Sequence, residues 1–136
     1  MSRSGYTDDY DWDNQIGFIN YRGAVKSALR GARGQAFLQE MLEAMAAMPK
    51  HELISGELVR EGAACALGTV AIKRGLDVSN LDPDDADSVA AKFGISVAMA
   101  REIMWANDEM HYGELTDAAR FDAVRKWIEG ELYERN

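Results

Sequence analysis

The stretch VAAKFGISVAMAREI, residues 89–103, has the spacing of a helix-turn-helix. Val89, Ala90 and Phe93 occupy core and helix-crossing positions of a first helix, Gly94 the left-handed turn, and Ile95, Ala100 and Ile103 the core contacts that follow. The base-reading face of the second helix would present Val97, Ala98, Arg101, Glu102 and Trp105, of which only Arg101 is a natural ligand for phosphate or guanine. The pattern therefore predicts a helical corner used for packing rather than a reader of duplex DNA.

Working outward, Asp82 before Pro83 predicts an N-cap and first-turn proline for a helix over 83–93, with acids at 84, 85 and 87 complementing its dipole. Ser96 caps a helix over 97–109. Thr116 caps a last one bearing an apolar stripe of Ala119, Phe121, Val124, Trp127, Ile128 and Leu132. Toward the N-terminus, three- and four-residue steps predict a helix over 15–32 ended by Gly31 and Gly34. A second helix follows over 35–48, and the two read as a helical hairpin. Residues 64–74 form a small-residue helix closed by Gly75. LISGELV, residues 53–59, is short and partly β-branched, so any strand is confined to about 53–60. The expected fold is all-α, a compact bundle of about five or six helices in a single domain spanning 1–136, with an aromatic and acidic arm over about 1–14.

A chain of 136 residues, 47% hydrophobic and 28% charged, can bury a core of its own. The longest nearly apolar run, Ala63 to Ile72, is too short to cross a bilayer, and the acidic opening MSRSGYTDDYDWD lacks the apolar core of a signal peptide. The lone Cys65 cannot form an internal disulfide. A cytoplasmic location in a bacterial host cell is the expectation.

The net charge of −8 is unevenly placed. Residues 1–76 hold nine acids and nine bases and residues 118–136 four of each, while residues 77–117 hold ten acids against Lys92 and Arg101. Carboxylates spread over a helical face can resemble a duplex phosphate array, which makes Asp84, Asp85, Asp87, Asp108 and Glu109 a candidate partner-binding acidic surface; the plainer reading is a solvated face. Arg22, Lys26, Arg30 and Arg33, with no acid between Asp13 and Glu40, form a basic stripe within about 80° of helical arc. Such like charges call for a counter-charge: the arm's aspartates, the 77–117 segment, a symmetric homodimer, a partner protein or phosphates.

Catalytic patterns fail on inspection. His51-Glu52 opens like a zinc-protease helix, but Ser55 stands where the second histidine belongs. GARGQ lacks the lysine and hydroxyl of a phosphate loop, and DPDDADS lacks the sixth-position glycine of a calcium loop. His111 beside Asp108 and Glu109 reads as a solvated histidine, Cys65 in AACALG as a small core residue, and the helix-two methionines as core. No catalytic, cofactor-binding or metal-ligating residue is predicted, and no enzyme activity.

On SGYTDDYD, YRGAVKSALRGARGQAFLQEML and DAARFDAVRKWIE, the chain resembles small bacteriophage- and prophage-encoded proteins of proteobacteria, over most of its length. No catalytic residue carries over. The resemblance implies a non-enzymatic protein that binds and modulates a host protein, with inhibition of a nucleic-acid-binding defence complex (anti-CRISPR-like) as one form. The alternative is a nucleic-acid-binding regulator that uses the basic stripe, with the helix-turn-helix as scaffold.

Overall fold

The computed structural model describes residues 3–4, 23–111 and 115–132. The start of the first predicted helix, Arg22 and the arm beyond Arg3 and Ser4 lie outside the described residues. Six helices are described. The chain is helical over 23–30 (α1) and again over Ala32–Ala46 (α2). A hairpin pairs Val59–Arg60 (β1) with Ala63–Ala64 (β2), and Ala66–Arg74 (α3), Ala86–Phe93 (α4), Val97–Asp108 (α5) and Asp117–Glu131 (α6) follow. The architecture is mainly α, as the periodicities predict.

The stretch at 89–103 folds as the predicted corner. Gly94 closes α4 in the left-handed conformation at φ 73°, its N–H bonding to Ala91 O and that of Ile95 to Ala90 O. This double closure requires a residue without a Cβ penalty at that position. Ser96 then caps α5 by accepting the Met99 N–H. Val89, Ala90, Phe93, Ala100 and Ile103 are all buried.

The second helix of the corner is packed on three sides of the fold. α5 packs on α3, α4 and α6, and Met99, Ala100, Ile103, Met104 and Ala106 join the core on several sides. Glu102, assigned from sequence to a reading face, is itself 3% exposed. Val97, Ala98, Arg101 and Trp105 form only a half-buried strip.

Several boundaries shift for local reasons. Asp82 does not cap α4; it accepts the N–H of Asp84 on its side chain and that of Asp85 on its carbonyl, forming a turn. Asp85 becomes the cap through Ser88. The hairpin reaches Ala64, beyond the 53–60 window, because Glu61 (φ 50°) and Gly62 (φ 84°) make a two-residue turn with both φ positive. On α6, Ala119 is exposed and Arg120 takes a buried place, donating to the carbonyls of Leu53 and Leu115.

α1 and α2 meet at Gly31 alone, and Gly34 lies inside the first turn of α2 rather than ending a helix. A Cβ at Gly34 would lie 1.9 Å from Ala28 O, so the tight corner requires glycine there. The basic stripe therefore does not share one helix: Lys26 and Arg30 belong to α1, Arg33 to α2. Met41 and Met45 of α2 are fully buried core, with Phe37 set edge-on to Phe93.

Gly68 has the same constraint in α3, where an added Cβ would lie 1.9 Å from Leu58 O. Gly68→Ala should destabilise the fold by about 3 kcal/mol or more, since backbone must move to admit it. Gly130→Ala in α6 meets nothing within 4 Å and should stabilise by up to about 1 kcal/mol. Urea melts of the two variants check the opposite signs.

Candidate functional site

The C-terminal turn of α5 ends in polar residues that the surrounding packing has buried. Asn107, 3% exposed, accepts the Ala66 N–H on Oδ1 at 3.0 Å and donates from Nδ2 to Ile54 O at 2.9 Å and to Asp108 Oδ1 at 2.8 Å. One amide thus satisfies the first turn of α3 and the 53–56 loop together. Asp108 Oδ1 also accepts the Gly56 N–H.

The counter-charge comes from far away in sequence. Arg3, 4% exposed, grips Asp108 with a two-pronged contact, Nε to Oδ2 at 2.6 Å and Nη2 to Oδ1 at 2.7 Å. Its third nitrogen, Nη1, lies 3.7 Å from Cys65 Sγ. That sulfur also caps α3, accepting the Gly68 N–H at 3.4 Å. Ser4 Oγ donates to Glu109 Oε2. Burial opposes the charge on Asp108, but the Arg3 guanidinium, with Asn107 and Gly56, outweighs it and holds the carboxyl below its ordinary value. Burial likewise opposes the charge on Arg3, and the Cys65 sulfur and Asp108 overcome it, raising its pKa.

This arrangement divides the predicted acidic surface. Asp108 and Glu109 are engaged by Arg3 and Ser4 and hold those two residues against the end of α5. Asp85 is exposed but acts as the α4 cap; hydrogen bonds from Ser88 hold its carboxyl low. Asp84 and Asp87 are exposed, and neither joins an ion pair among the described residues.

Of the basic stripe, Arg22 lies outside the described residues, while Lys26, Arg30 and Arg33 are exposed. None of the three joins an ion pair among the described residues. Arg33 lines an open groove of about 580 Å³ between the α1–α2 corner and the α4–α5 corner, walled by Gly31, Gly34, Ala90, Ala91 and Ser96. It also lines a smaller neighbouring hollow with Glu40 and Arg74. That second arginine is already engaged: Arg74 binds Glu40 at 2.5 and 2.9 Å, donates to Phe93 O and lies over the Phe37 ring. The Arg74 hydrogen bond is the main reason Glu40 titrates low.

The residues with chemical potential have structural positions. The His51 ring stacks on Phe121 at 4.6 Å, Cys65 is 1% exposed, and His111 is exposed on the turn after α5. Among the described residues no group of three or more histidines, cysteines or carboxylates could hold a metal ion, and no helix is long and apolar enough to cross a membrane. No protein-family model, curated protein or solved structure matches the chain.

Sequence reasoning missed Arg3, Asn107 and Arg120. A signal existed for the first: Arg3 is the sole base in residues 1–21, among four aspartates. Its partner, 105 positions away, left no local mark.

Asp108→Asn should cost about 3–5 kcal/mol, because it leaves the Arg3 charge buried without a counter-charge. The sign of the pH effect follows from the lowered carboxyl: ionised Asp108 stabilises the fold above its unfolded-state pKa, near pH 4, and that contribution is lost as pH falls through the lower folded value. Urea melts of wild type from neutral pH downward should show this acid-side decline, and Asp108→Asn should lack its share of it.

Proposed function

We propose that the protein is a non-enzymatic, phage-derived interaction protein that binds and modulates a host protein through exposed, uncommitted charge. The observation that carries this reading is the separation of roles among the acids: Asp108 and Glu109 are bonded by Arg3 and Ser4, while Asp84 and Asp87 stand exposed beside the capping Asp85 with no described counter-charge. Carboxylates held on a rigid helix start present a fixed negative potential, which favours a partner with a basic, nucleic-acid-binding surface. A defence complex of an infected cell would be such a partner. The resemblance to phage-encoded proteins supports the same reading.

The buried and capping acids must be left alone in any test, since altering them perturbs the fold. Capture from a proteobacterial lysate should retain a nucleic-acid-binding host protein that duplex oligonucleotide releases. Asp84→Asn combined with Asp87→Asn should lose it at unchanged melting temperature. Capture that survives both the substitutions and the competitor would overturn the reading.

A second reading, a nucleic-acid-binding regulator, is favoured by one observation: Lys26, Arg30 and Arg33 are exposed cations that join no ion pair among the described residues. Fluorescence anisotropy with duplex and single-stranded oligonucleotides should then show binding that weakens steeply with salt and is lost in Arg30→Glu. Absence of binding at low salt would dismiss it.

A further inference from the structure

The groove of about 580 Å³ between the α1–α2 and α4–α5 corners combines an apolar base with charge of a single sign. The buried Ile95 and Met99 form the base, and exposed small residues, Gly31 and Ala32 on one side and Ala91 and Gly94 on the other, leave it open. Arg33 is the only ionisable residue in the lining. It is exposed and joins no ion pair among the described residues. Glu40, the acid of the adjoining hollow, is held by Arg74 and Lys73 and does not answer it. Beside Arg33, α2 starts without a side-chain cap, and α5 starts behind Ser96 at the other corner. The positive ends of two helix dipoles thus add to the charge of Arg33.

We infer that this groove is a docking site for an acidic segment of a partner polypeptide, which sets a carboxylate on Arg33 and an aliphatic side chain on Ile95 and Met99. Charge complementarity selects the sign of the partner. A carboxylate meets a guanidinium that can bind it with two hydrogen bonds, and no acid in the lining; a lysine or arginine meets only like charge. The lining also selects peptide over nucleic acid. It has no aromatic ring on which a base could stack. Its only side-chain hydroxyls are those of Ser27 and Ser96, and Ser96 already accepts the Met99 N–H. An aliphatic side chain asks only for apolar surface, which Ile95 and Met99 supply. Asp87 lies one turn before Ala91 on the same side of α4 and repels a second carboxylate placed beyond it.

Selection from a random-peptide library on the purified full chain, with Arg33→Glu as the counter-selection, tests this without any host partner. It should enrich sequences in which Asp or Glu neighbours Leu, Ile or Val. An enriched peptide added to isotope-labelled protein should shift the backbone amide resonances of Gly31 to Arg33 and of Gly94 to Ser96 until they saturate. Binding should weaken as salt rises. Arg33→Glu should weaken it at least about tenfold, and Ala91→Trp, which fills the groove, should block it. Both positions are exposed, so melting temperatures should stay at the wild-type value. Asp87→Asn should bind the peptide equally or more tightly, whereas a partner held by the acidic patch would be weakened by the same change. Enrichment of basic peptides, or of peptides that bind wild type and Arg33→Glu alike, would overturn the proposal. So would resonance shifts that lie away from the two corners. A single-stranded oligonucleotide that displaces the peptide and moves the same amides at lower concentration would assign the groove to nucleic acid instead.

Discussion

The structure turns on the need to satisfy the polar end of a helix that the fold has buried. α5 is enclosed by α3, α4 and α6, and its last turn carries Asn107 and Asp108 into that enclosure. A buried amide and carboxylate are tolerated only with their hydrogen-bonding capacity filled. Asn107 fills its own with the backbone of Ala66 and Ile54, and Asp108 takes Gly56 and the Arg3 guanidinium. Three segments remote in sequence are thereby tied to one helical turn. The penalty for losing any one partner falls on those that remain, which makes the knot cooperative.

The same requirement governs how the excess negative charge is distributed. Acids near the core are drawn into it: Asp108 by Arg3, and Glu40 by Arg74, which also covers the Phe37 ring. Acids at a helix start become caps, as Asp85 does. Surface acids on α6 are answered locally, Asp122 by Arg125 and Lys126 one turn away. Among the exposed charges that these assignments leave outside any described ion pair are Asp84 and Asp87 and the cations Lys26, Arg30 and Arg33. A negative segment that reads as continuous in sequence divides, in three dimensions, into exposed acids at 77–87 and 117 and the half-buried Asp108 and Glu109 that bond Arg3 and Ser4.

The α4–α5 corner illustrates how a familiar packing motif can be inverted in use. In a DNA reader the second helix is exposed along one face to enter a groove. Here that helix packs on α3, α4 and α6, and the corner's outer rim, at Gly94 and Ser96, borders a groove shared with the α1–α2 corner. Two tight corners face each other across small residues. Arg33, beside that groove, owes its position to the Gly31–Gly34 corner, since a continuous helix would have kept it on the same edge as Lys26 and Arg30.

Local sequence determined the helices, the left-handed glycine at 94, the caps at Ser96 and Thr116, and the core positions of the corner, because each depends on interactions within one or two turns and on a periodicity that neighbouring residues reveal. It also marked Cys65 and the α2 methionines as core. Tertiary structure alone decided that Glu102 is buried, that Arg120 rather than Ala119 packs inward, and that Asp108 and Glu109 bond to Arg3 and Ser4. Whether a carboxylate faces solvent or an arginine 105 residues away depends on how elements are brought together, and that long-range pairing has no period in the sequence. The cap of α4 moved from Asp82 to Asp85 for a related reason: both residues can cap a helix, and the turn preceding the helix selected between them.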